Sequence, residues 1–228
     1  MIRMDKTTVV VKISQYVEGL LDGKDGLILY NSYKEYFPFV NQEVLFDVFH
    51  QMMTGGKSID DILNILPKSI KILMPYLPKA EFGDLSEKSF LGILIADNRE
   101  MVFRLEKMKE VYLKGDLPES IELSKTLISQ IQEYISHFVK KEQILFAEME
   151  KKHPRYEGLA IMWALHDKIR DFLKEAQQAL DSRNLTQDDF SKLVGKLFFL
   201  VYGSIEKEDN ILFPEALRIF SEDEWKKM

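Results

Sequence analysis

An all-α fold is predicted by three features of this sequence. Apolar residues recur at three-and-four spacing along most of the chain. Glycine and proline gather between those stretches, and β-branched runs are scarce outside Thr7 to Val11. The elements follow in order. Val17, Leu20 and Leu21 close a first amphipathic stretch, which stops at Asp22-Gly23. Tyr30, Tyr33, Tyr36 and Phe37 mark a second, ended by Pro38, and Leu45, Val48, Phe49 and Met52 a third, stopped by Thr54-Gly55-Gly56. Ile59, Ile62, Leu63 and Leu66 form a fourth before Pro67, and a last turn or two runs from Ser69 to Met74. Residues 1–77 thus read as an N-terminal domain of short helices. Two prolines and a glycine between Pro75 and Asp84 make 78–85 the expected linker.

Beyond it the spacing predicts four long helices, near 86–113, 119–151, 156–181 and 187–213. Asp116 and Glu119 suit a capping box for the second, and Thr186 an N-cap for the fourth. Four long helices with short connections predict an antiparallel four-helix bundle over residues 86–228.

Composition removes several classes of function. There is no cysteine, so any metal must be held by histidine, carboxylate or backbone oxygen. A net charge of −6, with lysines interleaved among acids, argues against nucleic acid as a partner. The first residues lack the apolar stretch of a signal peptide, and no segment approaches a membrane span; a soluble, cytoplasmic protein is expected. No Ser/His/Asp arrangement, phosphate-cradling glycine loop or His-Glu-x-x-His motif occurs, so no catalytic residue is assigned and neither haem nor nucleotide is expected.

The informative residues interrupt the apolar stripes of the long helices. The first stripe reads Leu91, Leu94, Asn98, Met101, Leu105, Met108, Tyr112, and the third Leu159, Met162, His166, Ile169, Leu173, Ala176, Leu180. The fourth reads Phe190, Val194, Leu197, Val201, Ser204, Glu208, Ile211. The second helix has two adjoining rails: Leu127, Tyr134, His137, Lys141, Ile144, and Ile128, Ile131, Ile135, Phe138, Glu142, Leu145, Met149. A carboxylate in such a seam is costly unless paired or ligated, so the interruptions predict one shared polar site. An internal echo adds to this, since Lys140 to Glu148 resembles Lys207 to Glu215, placing Lys141 opposite Glu208 and Glu142 opposite Asp209. His50 and His153 lie outside the pattern and are expected at the surface, and Trp163 is expected to pack beside the site.

These segments, His137 to Phe146, Met162 to Arg170 and Glu206 to Pro214, resemble the hemerythrin-like family with its HHE cation-binding domain. The preceding region resembles the helical domain of unknown function that often accompanies it, with Leu66-Pro67-Lys68-Ser69 where that domain usually carries a Cys-Asp-x-His-like motif. The resemblance implies a non-haem iron site, with zinc or manganese as alternatives, serving gas or oxidant sensing, redox chemistry or iron handling. It carries over His137, His166 and Glu208 as ligands, with Glu142 and Asp209 as further oxygen candidates. Asn98, Lys141, Arg170 and Ser204 stand where the family places ligands, so an oxygen carrier is not expected.

Three readings follow. In the leading one the reduced set holds a metal ion. In the second, Lys141 and Arg170 neutralise the buried carboxylates of a metal-free regulatory or interaction module, with the N-terminal domain meeting a protein partner. The third, repair of iron centres, is weakened by the missing N-terminal cysteines.

Overall fold

The computed structural model describes residues 4–79, 82, 85, 86, 88–114, 117–182 and 185–228, but not the side chains of 111–114 and 117. Among these residues the structure is helical, without a strand. The elements are α1 (Lys6–Leu21), α2 (Gly26–Tyr33), α3 (Gln42–Thr54), α4 (Ile59–Leu73), α5 (Phe90–Lys114), α6 (Leu117–Glu133) and α7 (Ile135–Lys140). There follow α8 (Ala147–Glu150), α9 (Ala160–Leu180), α10 (Gln187–Lys207), α11 (Phe213–Ile219) and α12 (Glu222–Trp225). Short 3-10 turns occupy Phe37–Phe39, Met74–Tyr76 and Pro154–Leu159. Lys141–Phe146 and Glu208–Leu212 are π-helical. No helix among the described residues is long and apolar enough to cross a membrane.

Contacts group the chain into two compact units. One comprises Met1–Phe82, Phe146–Ala164 and Asn210–Phe220; the other comprises Gly83–Leu145, Leu165–Asp209 and Ser221–Met228.

In the first unit the helices begin where side chains can replace missing backbone partners. Asp5, Asp25, Asn41 and Ser58 each accept from backbone N–H groups in the first turn of α1 to α4. Gly23 and Gly56, at φ 73° and 89°, turn the chain out of α1 and α3 in the left-handed region that a Cβ disfavours. The second amphipathic stretch divides. The helix ends at Tyr33, while Tyr36 and Phe37 belong to the next turn, because Pro38 suits a tight turn and burial rewards it. Phe37 is fully buried, with Tyr16, Tyr30 and Tyr76 at ring separations of 5.0, 5.6 and 5.5 Å.

Helix α4 also departs from expectation by running through Pro67 to Leu73. Ile62, Leu63, Leu66, Ile70 and Leu73 keep one buried face across the proline, and Ser69 bonds back to the carbonyls of Ile65 and Leu66 at 3.1 Å. Burial of that face outweighs the hydrogen bond that Pro67 cannot donate. The same unit includes the 3-10 turn at 154–159 and α11. There Tyr156, buried, donates to Glu215 at 2.7 Å, and Arg218 grips both oxygens of Glu215. Gln42 donates to the carbonyls of Pro78 and Asn210, both at 3.0 Å.

In the second unit α5 packs against α6 and α10. Thr186 caps α10, accepting from the backbone N–H of Asp189. Asp116 and half of the expected linker residues lie outside the described residues, and the expected capping box lies there with Asp116. The stripe of α5 is buried from Leu91 to Met108, including Asn98, and that of α10 from Phe190 to Ser204.

Candidate functional site

The second long helix is not one continuous spiral. It stops at Tyr134 (φ −76°, ψ 0°), resumes as α7, then widens into the π segment at Lys141. In the π segment the wider turn accompanies burial of the neighbours Lys141 and Glu142 together. His137 with Phe138, and Lys141 with Glu142, are all buried. The chain repeats this at the matching place in the echo, since the second π segment begins at Glu208.

Glu208 is the centre of the cluster. Its side chain is 1 % exposed, and the wholly buried Lys141 ammonium bonds its Oε1. Ser204 donates to the same oxygen at 3.2 Å, and His166 Nε2 lies 3.4 Å from it. Among the described residues Oε2 has no hydrogen-bond partner, and His137 Nε2 lies 3.7 Å from it. Burial pushes the Glu208 carboxyl up, but Lys141 and the two imidazoles outweigh it and hold the group well below the usual carboxylate range. Burial in turn pulls the Lys141 amine below the ordinary lysine value, against the opposing pull of Glu208.

Each histidine is oriented by a carboxylate outside the centre. His137 Nδ1 is 3.1 Å from Asp97 Oδ2, which also takes Lys140 at 2.9 Å. His166 Nδ1 is 2.8 Å from Glu142 Oε1. Burial acts to raise both acids, yet the imidazole and cation contacts prevail and lower them. Ionised, they can only accept, so both Nδ1 atoms carry protons. His166 Nε2 turns toward Glu208, while His137 Nε2 meets Asn98 Oδ1. Arg170 binds Glu142 with one nitrogen at 2.6 and 2.8 Å from its two oxygens. The Phe138 ring stacks on His166 at 4.3 Å and 8°, with the Lys141 ammonium 4.8 Å from its centroid.

The structure therefore gathers His137, His166, Glu208 and Glu142 in one buried cluster. Glu142 meets His166 Nδ1 and Arg170 there. Asp209 lies to one side, accepting from Asn98 Nδ2 at 2.8 Å, while Asn98 Oδ1 faces His137 Nε2 at 2.9 Å. Burial raises the Asp209 carboxyl. Sequence reasoning missed Asp97 and the ring stack of Phe138. Asp97 adjoins Asn98 at the edge of the buried stripe, a position that signalled it weakly. His153 is exposed, as expected, but His50 is only 25 % exposed at its side chain and its Nδ1 sits 3.9 Å from Glu157. Helix α3 turns it toward the 154–159 turn of the same unit. Trp163 packs edge-on to Phe146.

A buried polar cluster between long helices defines a helical-bundle protein with a built internal site. A family model described as the hemerythrin HHE cation-binding domain matches residues 90–216, more than half of the chain, and the protein belongs to that family. Nothing among curated proteins or solved structures matches it.

The family implies a cation, and the donor set can be tested against one. Among the described residues no group of three or more His, Cys, Asp or Glu side chains is arranged to hold a metal ion. Charge opposes an ion as well. A divalent cation on Glu208 Oε1 would meet the Lys141 ammonium at contact distance, and Arg170 already neutralises Glu142. As arranged, the residues do not fit the ion.

Proposed function

We propose that the bundle is a metal-independent regulatory or interaction module in which a buried ion network occupies the place of a metal centre. The observation that carries this reading is the Lys141 ammonium, wholly buried and bonded to Glu208. Taking two charges out of water costs several kcal/mol per ion, so such a pair persists only where extra contacts compensate it. Ser204, His166 and the face of Phe138 supply those contacts. Arg170 treats Glu142 in the same way at the edge of the cluster.

A double-mutant cycle tests the reading. Lys141→Met strands a buried carboxylate and Glu208→Gln a buried ammonium; each costs about 3 to 5 kcal/mol of unfolding free energy. The double variant costs less than their sum by about 2 kcal/mol or more. A neutral Lys141→Met, or strict additivity, overturns the proposal.

One observation favours a second reading, in which wild-type protein takes up non-haem iron, zinc or manganese for sensing, redox or iron handling. Two imidazole Nε2 atoms stand within 3.7 Å of a buried carboxylate, one of whose oxygens has no partner. That reading requires Lys141 to leave Glu208.

A further inference from the structure

The two histidines are held in the same manner although they come from different helices. Asp97 fixes Nδ1 of His137 at 3.1 Å, and Glu142 fixes Nδ1 of His166 at 2.8 Å. Carboxylate–imidazole pairs of this kind orient the opposite ring nitrogen and raise its basicity toward a cation. The opposite nitrogen of His166 lies 3.4 Å from Glu208 Oε1, and that of His137 lies 3.7 Å from Oε2 while meeting Asn98 Oδ1 at 2.9 Å. Oε2 is buried and unpartnered, so the seat lacks contacts on that side. The terminal amine of Lys141 reaches into the seat from the π segment.

We infer that Lys141 is the resident cation of a seat whose other groups are arranged for one, and that removing its amine opens a site for a single divalent transition-metal ion on His137, His166 and Glu208. This rests on the reading that the ion network replaces a metal centre. It goes beyond it by assigning the exclusion to one residue. Arg170 does not share that role, because it faces the outer carboxylate, Glu142, and is 18 % exposed. It leaves the second imidazole–carboxylate pair intact once the amine is gone. Two nitrogen donors and a carboxylate select zinc, iron(II) or manganese over calcium or magnesium, which favour oxygen donors alone. Asn98 Oδ1 holds His137 Nε2 at 2.9 Å, so uptake of the ion also opens that hydrogen bond.

The test uses the full chain, wild type and as Lys141→Ala and Lys141→Glu, titrated with zinc chloride. Bound zinc is read by equilibrium dialysis with elemental analysis, and thermal unfolding is followed in parallel. Lys141→Gln, which keeps a long polar side chain without charge, serves if either variant folds poorly. The expected result is no specific zinc in wild type and about one equivalent in the variants, with a raised unfolding temperature. Adding His166→Ala to Lys141→Ala removes both the bound zinc and the shift. Folded variants that take up no zinc, or uptake that survives His166→Ala, overturn the inference and leave the metal-independent reading standing. Zinc bound by wild type and lost on His166→Ala overturns that reading instead.

Discussion

Glu208 brings a full charge into the middle of an apolar seam, and each neighbour answers a separate part of the cost. Lys141 supplies the counter-charge, Ser204 a neutral hydrogen bond, and His166 a polar edge at longer range. Glu142 and Asp97 repeat the pattern with imidazole and a basic side chain each. The direction of the shifts fixes a pH dependence. Glu208, Glu142 and Asp97 are all held below their ordinary values in the folded state, whereas the unfolded chain titrates near 4. The unfolded state therefore binds more protons at acid pH. The stability these groups contribute is complete above about pH 5 and is lost as pH falls through the lower folded-state values. Asp209 opposes this, since burial raises its value and favours its protonated form. One group against three leaves the sign unchanged. Denaturant unfolding should give constant stability between pH 7 and about 5 and a fall below, with a shallower fall in Glu208→Gln. Stability that rises steadily down to pH 3 would contradict these assignments.

At the scale of elements, Pro67 provides a test of what makes α4 a helix. It is exposed within the helix, while residues on both sides of it share one buried face. Pro67→Ala restores a backbone donor without removing packing. The unfolded chain gains freedom, which offsets about 0.4 to 1 kcal/mol of the benefit. A net stabilisation of about 1 to 2 kcal/mol is expected from denaturant midpoints at unchanged slope. A destabilised variant would mean that the proline ring is itself a packing element. This is also where sequence reading fell short, because a local rule about proline lost to burial along the whole helix. The second long helix gives the complementary case. Its two rails are legible as a pattern, but a 3.6-residue period could not announce the break at Tyr134 or the π segment in which Lys141 and Glu142 are both buried. The echo did mark the place, since both π segments begin at its paired positions, Lys141 and Glu208. Asn98, His137, His166 and Glu208 were each visible as a polar break in an apolar stripe. The roles of Asp97 and Phe138 were not, because spacing along one helix says little about which ring nitrogen a neighbouring helix will hold.

At the scale of the molecule, the all-α class and the family follow from periodicity and motif, and the family match covers residues 90–216. The compact units are less legible. The first combines Met1–Phe82 with Phe146–Ala164 and Asn210–Phe220, segments far apart in sequence whose charged contacts, such as Arg155 with Glu43 and Asp47, form only on folding. Charge balance inside the bundle sets the whole protein's cation content. The most direct measurement is elemental analysis of untagged protein, as purified and after anaerobic reconstitution with iron(II), manganese(II) and zinc(II) followed by removal of unbound ion. Metal well below one equivalent is expected in every preparation, with unfolding temperature unchanged by chelator. About one equivalent or more, retained through buffer exchange and lost on His166→Ala, would contradict it and restore a metal ion to the place given to Lys141.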